Sequence, residues 1–357
     1  MVSKVQKHIE IIRSTTLGLS SLSKVSCDAI YKLLSAHYEQ VGVSVINNLW
    51  DLQLLVSKQP DLVFMGMKFL PSTHSLGTED PNKIWISEYL DNHNIAYTGS
   101  NKNAHELELD KHLAKQLVED AGLDTSAFYV AKHGQKVYDS DIALNYPVFI
   151  KPTNRGGGLG IDDASVAHDF AGLLSKVESM SAKYKADSLI EEYLPGREFS
   201  VAIIKGADQT TLLALPLELV APENIAGHRI LSSSVKLADT ETFLEVKDKE
   251  IRHKITTLAL DVFRVIGARD YGRIDIRLDK NGLPHFLEAN LIPSLIENYG
   301  NFPKACFLNL GMSYKNVILR IVELGLSRSE QPEEPNVPVF TTILKPLNLP
   351  EVLQPAI

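Results

Sequence analysis

Hydrophobic and polar positions along the first hundred residues change period several times. His8–Ser14 reads as a short strand. Residues 24–38 place Val25, Ala29, Ile30, Leu33 and Leu34 on one helical stripe. Val41–Ile46 and Asp61–Met67 read as further strands, and Ile84–Asp91 as a helix. Alternation of this kind predicts a small parallel sheet covered by helices. Tyr97-Thr98-Gly99-Ser100 supplies turn residues and closes a first unit over residues 1–100.

The second unit runs over residues 101–192. A helix is predicted near 103–121, stopped by Gly122. Strands follow at Ala127–Ala131, Tyr146–Lys151 and Ser188–Leu194, with a helix near 164–178. The third unit, 193–328, has strands at Glu198–Ile204 and Thr211–Val220. Its clearest helix spans 248–266, with Ile251, Ile255, Leu258 and Val262 on one face. Residues 329–357 are rich in proline and read as an extended tail. The class expected is α/β with α+β character, in three domains.

Composition narrows the partners. The 357 residues exceed one ordinary domain, and 44% hydrophobic content suffices for full cores. A net charge of −8 argues against a general nucleic-acid binder or an anionic-membrane binder. Cys27 and Cys306 are the only cysteines, so neither a disulfide framework nor a zinc site is indicated. Residues 1–12 hold no apolar signal core, and no stretch approaches the roughly 18 apolar residues of a membrane span. The expectation is a cytoplasmic protein.

The most informative segment is residues 271–290. Asn281-Gly282 between alternating runs predicts a hairpin with a two-residue turn. That register sets Lys280 opposite Leu283, Asp275 opposite Glu288 and Arg273 opposite Asn290, and the period of two puts Arg273, Asp275, Glu288 and Asn290 on one face. Ile274, Ile276, Leu278, Leu287 and Ala289 then face a core. Opposed carboxylates repel, so a cation is expected between them. Asp, Glu and an Asn carbonyl are hard oxygen ligands of the type Mg²⁺ takes beside nucleotide phosphates. A solvated polar strand face is the plain alternative.

Other segments point the same way. Gly156, Gly157, Gly158 and Gly160 follow the strand that ends at Lys151, and glycines let backbone N–H groups approach phosphates. Glu191 and Glu198 flank the Pro195-Gly196 break, placed to accept from an adenine amino group and ribose hydroxyls. Lys111 opens a helix, where a lone lysine usually faces solvent.

Taken together, Tyr97-Thr98-Gly99-Ser100, Asp110-Lys111, Lys151-Pro152 with its glycine loop, Glu191…Gly196-Arg197-Glu198-Phe199, Gly272-Arg273-Ile274-Asp275 and Leu287-Glu288-Ala289-Asn290 resemble the D-alanine–D-alanine ligases of the ATP-grasp superfamily. The resemblance covers roughly residues 8–328. It implies an ATP-grasp fold, with a small N-terminal domain and two subdomains clamping ATP, and with Mg²⁺ or Mn²⁺ as metal. By it, Lys111 and Lys151 would contact phosphates and adenine, Glu191 and the Leu194 backbone the adenine edge, and Glu198 the ribose. Asp275, Glu288 and Asn290 match the metal ligands, and Arg273 the arginine that stabilises the tetrahedral intermediate. Small-molecule carboxylate and amine partners are implied, amino acids among them, and a homodimer is allowed.

Departures fall on the substrate side. The N-terminal loop reads Leu22-Ser23-Lys24-Val25-Ser26 where the family keeps an acid for the first substrate's ammonium. Gly157 and Ile230 stand where a serine and a tyrosine complete that network, with Arg229 in place of the loop lysine. Pro293-Ser294 replaces Pro-Gly, so Ser294 enters the catalytic set, and Ile296-Glu297-Asn298-Tyr299 looks lengthened. The cation over the γ-phosphate would be Arg229 or Lys236, with loops 156–160 and 223–240 as lids. Three readings are open. The first is an ATP-dependent carboxylate–amine ligase with altered substrates, the second a cell-wall D-alanine–D-alanine ligase, and the third a silent nucleotide-binding regulator.

Overall fold

The computed structural model describes residues 3–16, 18–73, 77 and 80–329, so the proline-rich tail beyond residue 329 lies outside the described residues. The chain begins with β1 (Val5–Arg13), α1 (Lys24–His37), β2 (Tyr38–Val45), α2 (Leu49–Ser57) and β3 (Leu62–Phe64). These strands form a parallel sheet in the order β2-β1-β3. Each parallel step needs a crossover, which α1 and α2 provide. Ser23 caps α1 by accepting from the Ser26 N–H. The sequence reading missed α2, because Trp50 and Leu54 are exposed apolar residues that blur its stripe. Its start is a reciprocal cap between Asn48 and Asp51.

A short antiparallel ribbon follows, β4 (Phe69–Pro71) with β5 (Lys83–Trp85), and then α3 (Ile86–Asp91). The helix predicted from Ile84 therefore gives its first two residues to a strand. The helix predicted over 103–121 is two, α4 (Lys102–Leu109) and α5 (Lys111–Asp120). Asp110 breaks it by leaving helical geometry, and its carboxylate accepts from the His112 N–H. The break lets the Lys111 N–H donate to Thr153 O at 3.1 Å, tying the start of α5 to the next sheet.

That sheet comprises β6 (Phe128–Ala131), β7 (Val148–Pro152), β8 (Val166–Ala167) and, after α6 (Phe170–Tyr184), β9 (Ser188–Glu192). It is antiparallel, in the order β6-β9-β7-β8. The helix expected near 164–178 starts later because residues 166–167 pair with β7 and Asp169 supplies the cap.

The rest of the chain builds β10 (Glu198–Lys205), β11 (Leu212–Val220), α7 (Ser233–Ala238), β12 (Thr242–Glu245), α8 (Lys249–Val265), β13 (Tyr271–Leu278), β14 (Pro284–Asn290), α9 (Asn301–Leu310) and α10 (Tyr314–Ser329). Its antiparallel sheet runs β12-β11-β10-β13-β14. One face buries Phe199, Val201, Ile203, Ile274 and Ile276 against Ile255, Ala259 and Val262 of α8, joined by Ala114 and Val118 of α5. The other face has two halves. Ala202, Ile204 and Leu215 join a core shared with α1, α9, α10 and the N-terminal sheet. The remaining half is polar and borders a cleft. No helix among the described residues is long and apolar enough to cross a membrane.

Candidate active site

The polar half-face is assembled by strand pairing. Glu198 pairs with Arg277 and Ser200 with Asp275 across β10 and β13; Arg273 pairs with Asn290 and Asp275 with Glu288 across β13 and β14. The opposition of the two carboxylates expected from the sequence is present, but the route to it differs. The hairpin loop has three residues, Lys280 to Gly282, closed by Asp279 N–H donating to Leu283 O, and of Asn281 and Gly282 only Gly282 has positive φ. Leu278 therefore pairs with Pro284 and Ile276 with Phe286, one position off the expectation. A bulge at Leu287 restores the register before Asp275 meets Glu288. The bulge also exchanges side chains. Phe286 enters the core, whereas Leu287, assigned to the core from its parity, lines the cleft.

Asp275 is saturated. Its Oδ1 accepts from Arg273 Nε at 2.9 Å and Ser200 Oγ at 2.9 Å; its Oδ2 accepts from Arg273 Nη2 at 2.9 Å and Asn290 Nδ2 at 3.1 Å. Glu288 is more open, with Lys111 Nζ 3.6 Å from Oε2. Burial alone would raise the Glu288 pKa, but Lys111, Lys151, Lys236 and Arg273 outweigh it and hold the carboxyl at about 2. Among the described residues no cluster of three or more His, Cys, Asp or Glu side chains converges as a complete metal cage. Two carboxylates and one amide oxygen nonetheless suit Mg²⁺, which keeps waters and phosphates as its other ligands. The Asn290 nitrogen is committed to Asp275, which leaves its Oδ1 as a ligand atom. Glu288 would supply a second ligand, and Asp275 a third only by giving up a hydrogen bond.

The cleft lies between the four-stranded and five-stranded sheets. Lys151, Glu191 and Leu194 line one wall, Glu198, Asp275 and Arg277 the other, with Lys111 at the inner end. Lys111, for which solvent exposure was the plain expectation, is buried. Glu191 is buried between two lysines, 2.7 Å from Lys151 Nζ and 3.1 Å from Lys115 Nζ. Lys115 was missed in the sequence. Its signal was its place with Lys111, Ala114 and Val118 on the buried stripe of α5, since a lysine on an apolar stripe needs a buried partner. Burial drives the Lys115 pKa down to about 8, only partly offset by Glu191.

Burial pushes the Glu198 carboxyl up even though Arg277 Nη1 sits at 3.0 Å. Arg277 also donates to Gly196 O at 3.2 Å and Arg229 O at 3.1 Å, so one guanidinium joins both strands to segment 223–240.

The two segments expected as lids meet beside the cleft. A Cβ on Gly158, whose φ is +78°, would come within 2.9 Å of the Ser233 nitrogen, so only glycine allows this approach. Gly156 and Gly157 have open space at the same test. Asn224 donates to Asp163 at 2.8 Å, and the His228 ring stacks on His168 with centroids 5.4 Å apart. Arg229 does not reach the cleft, because its guanidinium binds Ala221 O at 2.7 Å and Glu223 at 2.8 Å. Ile230, Leu231 and Lys236 line the cleft instead. Ser294 lies on the loop after β14 between buried Pro293 and Leu295 and lines neither described cavity. Leu22 is 1% exposed in the N-terminal core and lines neither described cavity.

A family sequence model described as "D-ala D-ala ligase C-terminus" matches residues 117–323. This chain belongs to the D-alanine–D-alanine ligase family. Its fold is the ATP-grasp fold, and by family it is an ATP-dependent, ADP-forming carboxylate–amine ligase. It is 31% identical over 238 residues to "Uncharacterized protein y4sG" of Sinorhizobium fredii, covering 66% of this chain and 67% of that one. It is 27% identical over 338 residues to a D-alanine--D-alanine ligase of Marinobacter nauticus, covering 90% and 94%. In structure it is similar to the D-alanine--D-alanine ligase of Bacillus anthracis complexed with ATP, with a TM-score of 0.71 at 18% identity, covering 92% and 99%. That likeness is one of fold.

Proposed function

We propose that this member of the D-alanine–D-alanine ligase family joins a small carboxylic acid to a small amine through an acyl phosphate, with ATP seated in the cleft between the two antiparallel sheets. The observation that carries the reading is the opposition of Asp275 and Glu288 beside Lys111, Lys151 and Lys236, in the cleft between the two sheets. Binding alone would not need Arg273 on the same face. Glu288 and Asn290, joined by Asp275, are the residues that would hold Mg²⁺ or Mn²⁺, and the ion would neutralise phosphate charge when bound.

Lys111, Lys151 and Lys236 draw the triphosphate into place, with adenine against Glu191 and the Leu194 backbone and ribose against Glu198. The substrate carboxylate oxygen attacks the γ-phosphorus, the bond to the bridging oxygen breaks, and ADP leaves. The amine nitrogen attacks the acyl carbon, phosphate departs, and the amine releases a proton. Arg273 stabilises the tetrahedral oxyanion, since its guanidinium stays charged and Asp275 fixes its fork. Glycine loop 156–160 and segment 231–236 exclude water that would hydrolyse the acyl phosphate. Lys236 takes the γ-phosphate role, because Arg229 is occupied outside the cleft.

A second reading is that both substrates are D-alanine, which the names of the curated relatives favour. ADP release with panels of acids and amines, with products read by mass spectrometry, tests both readings. Absence of any acid-dependent ADP release would overturn the first, and a product other than D-alanyl-D-alanine as the fastest formed would overturn the second.

A further inference from the structure

A second cavity adjoins the cleft on the far side of Lys111 and is bordered there by Glu288, Asn290 and Gly156. It is where the acid would lie if the ligase reading holds, and the identity of its occupant rests on that reading. Its opposite end is formed by Lys68, Glu108 and Leu109. Lys68 comes from the segment between β3 and β4, so it is the N-terminal sheet's side of the molecule that supplies it.

Glu108 is not open to a substrate. Its Oε1 accepts from Lys68 Nζ at 2.7 Å and from the Leu291 N–H at 2.7 Å, and its Oε2 faces His105 Nδ1 at 2.9 Å. Its side chain is 3% exposed. Burial would raise its pKa, but Lys68 and His105 outweigh burial and hold it at about 2. A carboxylate so engaged has little left for a substrate ammonium. Lys68 differs, since its side chain is 19% exposed and an ammonium has three protons, of which Glu108 takes one. The pair therefore presents a lysine already held in place, with protons to spare, at the wall of a cavity. Pre-organised cations of this kind hold anions. Leu109 adds an apolar wall, backed by Leu19, Phe69 and Trp85.

We propose that the acid taken by this cavity is a diacid, one carboxylate reacting beside Lys111 and the other paired with Lys68. The apolar wall at Leu109 suits the carbon chain between them. Glu108 is a positioning residue that acts through Lys68.

Hydroxylamine tests this without knowledge of the amine, because it converts an acyl phosphate to a hydroxamate and free phosphate. The full chain, ATP and Mg²⁺ are assayed with succinate and glutarate against propionate, butyrate and D-alanine. The expected result is a KM for a diacid at least tenfold below that of the monoacid of equal length. Lys68→Met should raise the diacid KM at least tenfold and leave the KM for ATP within twofold, while Lys68→Arg keeps most of the selectivity. A monoacid or D-alanine as the preferred acid overturns the inference. So does a Lys68→Met effect equal for all acids, which would mark a purely structural ion pair. If no acid yields hydroxamate, the ligase reading fails, and titration calorimetry of succinate and glutarate into the ATP-loaded protein decides the cavity. Binding lost in Lys68→Met supports a diacid site, and no binding removes it.

Discussion

Lys115 and Glu191 meet at 3.1 Å with side-chain exposures of 0% and 3%, and Lys151 closes on the other oxygen of the same carboxylate. One carboxylate thus bridges two lysines from different parts of the chain. It holds α5 to β7 and β9 at one wall of the cleft.

Replacing Glu191 by Gln leaves both lysines buried without their counter-charge. Breaking a buried ion pair in this way costs about 3–5 kcal/mol. Urea denaturation should show the loss as a lower midpoint with an unchanged slope.

Acid should do the same by titration. The pKa values of Glu191 and Glu108 lie at about 2 in the folded chain, below the ordinary 4.5. Between those values the unfolded chain binds more protons, so stability is fully present above about pH 4.5 and is lost as the pH falls toward 2. A melting temperature that stays flat from pH 5 to pH 2 would contradict the assignment.

Glu288→Gln should lower ligation at least a hundredfold while the fold survives. Glutamine keeps the shape beside Asp275 but removes the charge that faces Lys111, Lys151, Lys236 and Arg273. Near-normal ADP release at ordinary Mg²⁺, with an unchanged circular-dichroism spectrum, would remove Glu288 from the metal site.

Arg273→Lys should lower kcat strongly and change the KM for ATP little. Lysine keeps the charge but cannot reproduce the two-pronged contact with Asp275, so the orientation of the cation is lost. A raised KM for ATP with unchanged kcat would instead place Arg273 on the phosphates.

Gly158→Ala should raise the KM for ATP roughly tenfold, whereas Gly156→Ala should leave it nearly unchanged. The first methyl meets the Ser233 backbone nitrogen at 2.9 Å and forces the lid segments apart, while the second meets open space. Steady-state kinetics on the two variants checks the contrast.

The sequence by itself determined the class of fold and the polar face. The alternation in β13 and the motif order placed Arg273, Asp275, Glu288 and Asn290 together, because a strand's period of two fixes which side chains share a face. It also located the glycine loop, whose backbone freedom is a property of the residues themselves. Tertiary structure decided the rest. The bulge that exchanges Phe286 and Leu287 between core and cleft follows from how β14 closes a three-residue loop, which alternation cannot register. Lys115, Lys68 and Glu108 acquire their roles from partners far along the chain, Glu191 and the Leu291 N–H among them. Arg229 and Lys236 lie seven residues apart, the first on the loop before α7 and the second within it, and only the anchoring of Arg229 on Ala221 and Glu223 turns the arginine away and leaves the lysine at the cleft. Pattern records local geometry, whereas which buried charge meets which is settled only when distant segments pack and each charge must find a counter-charge.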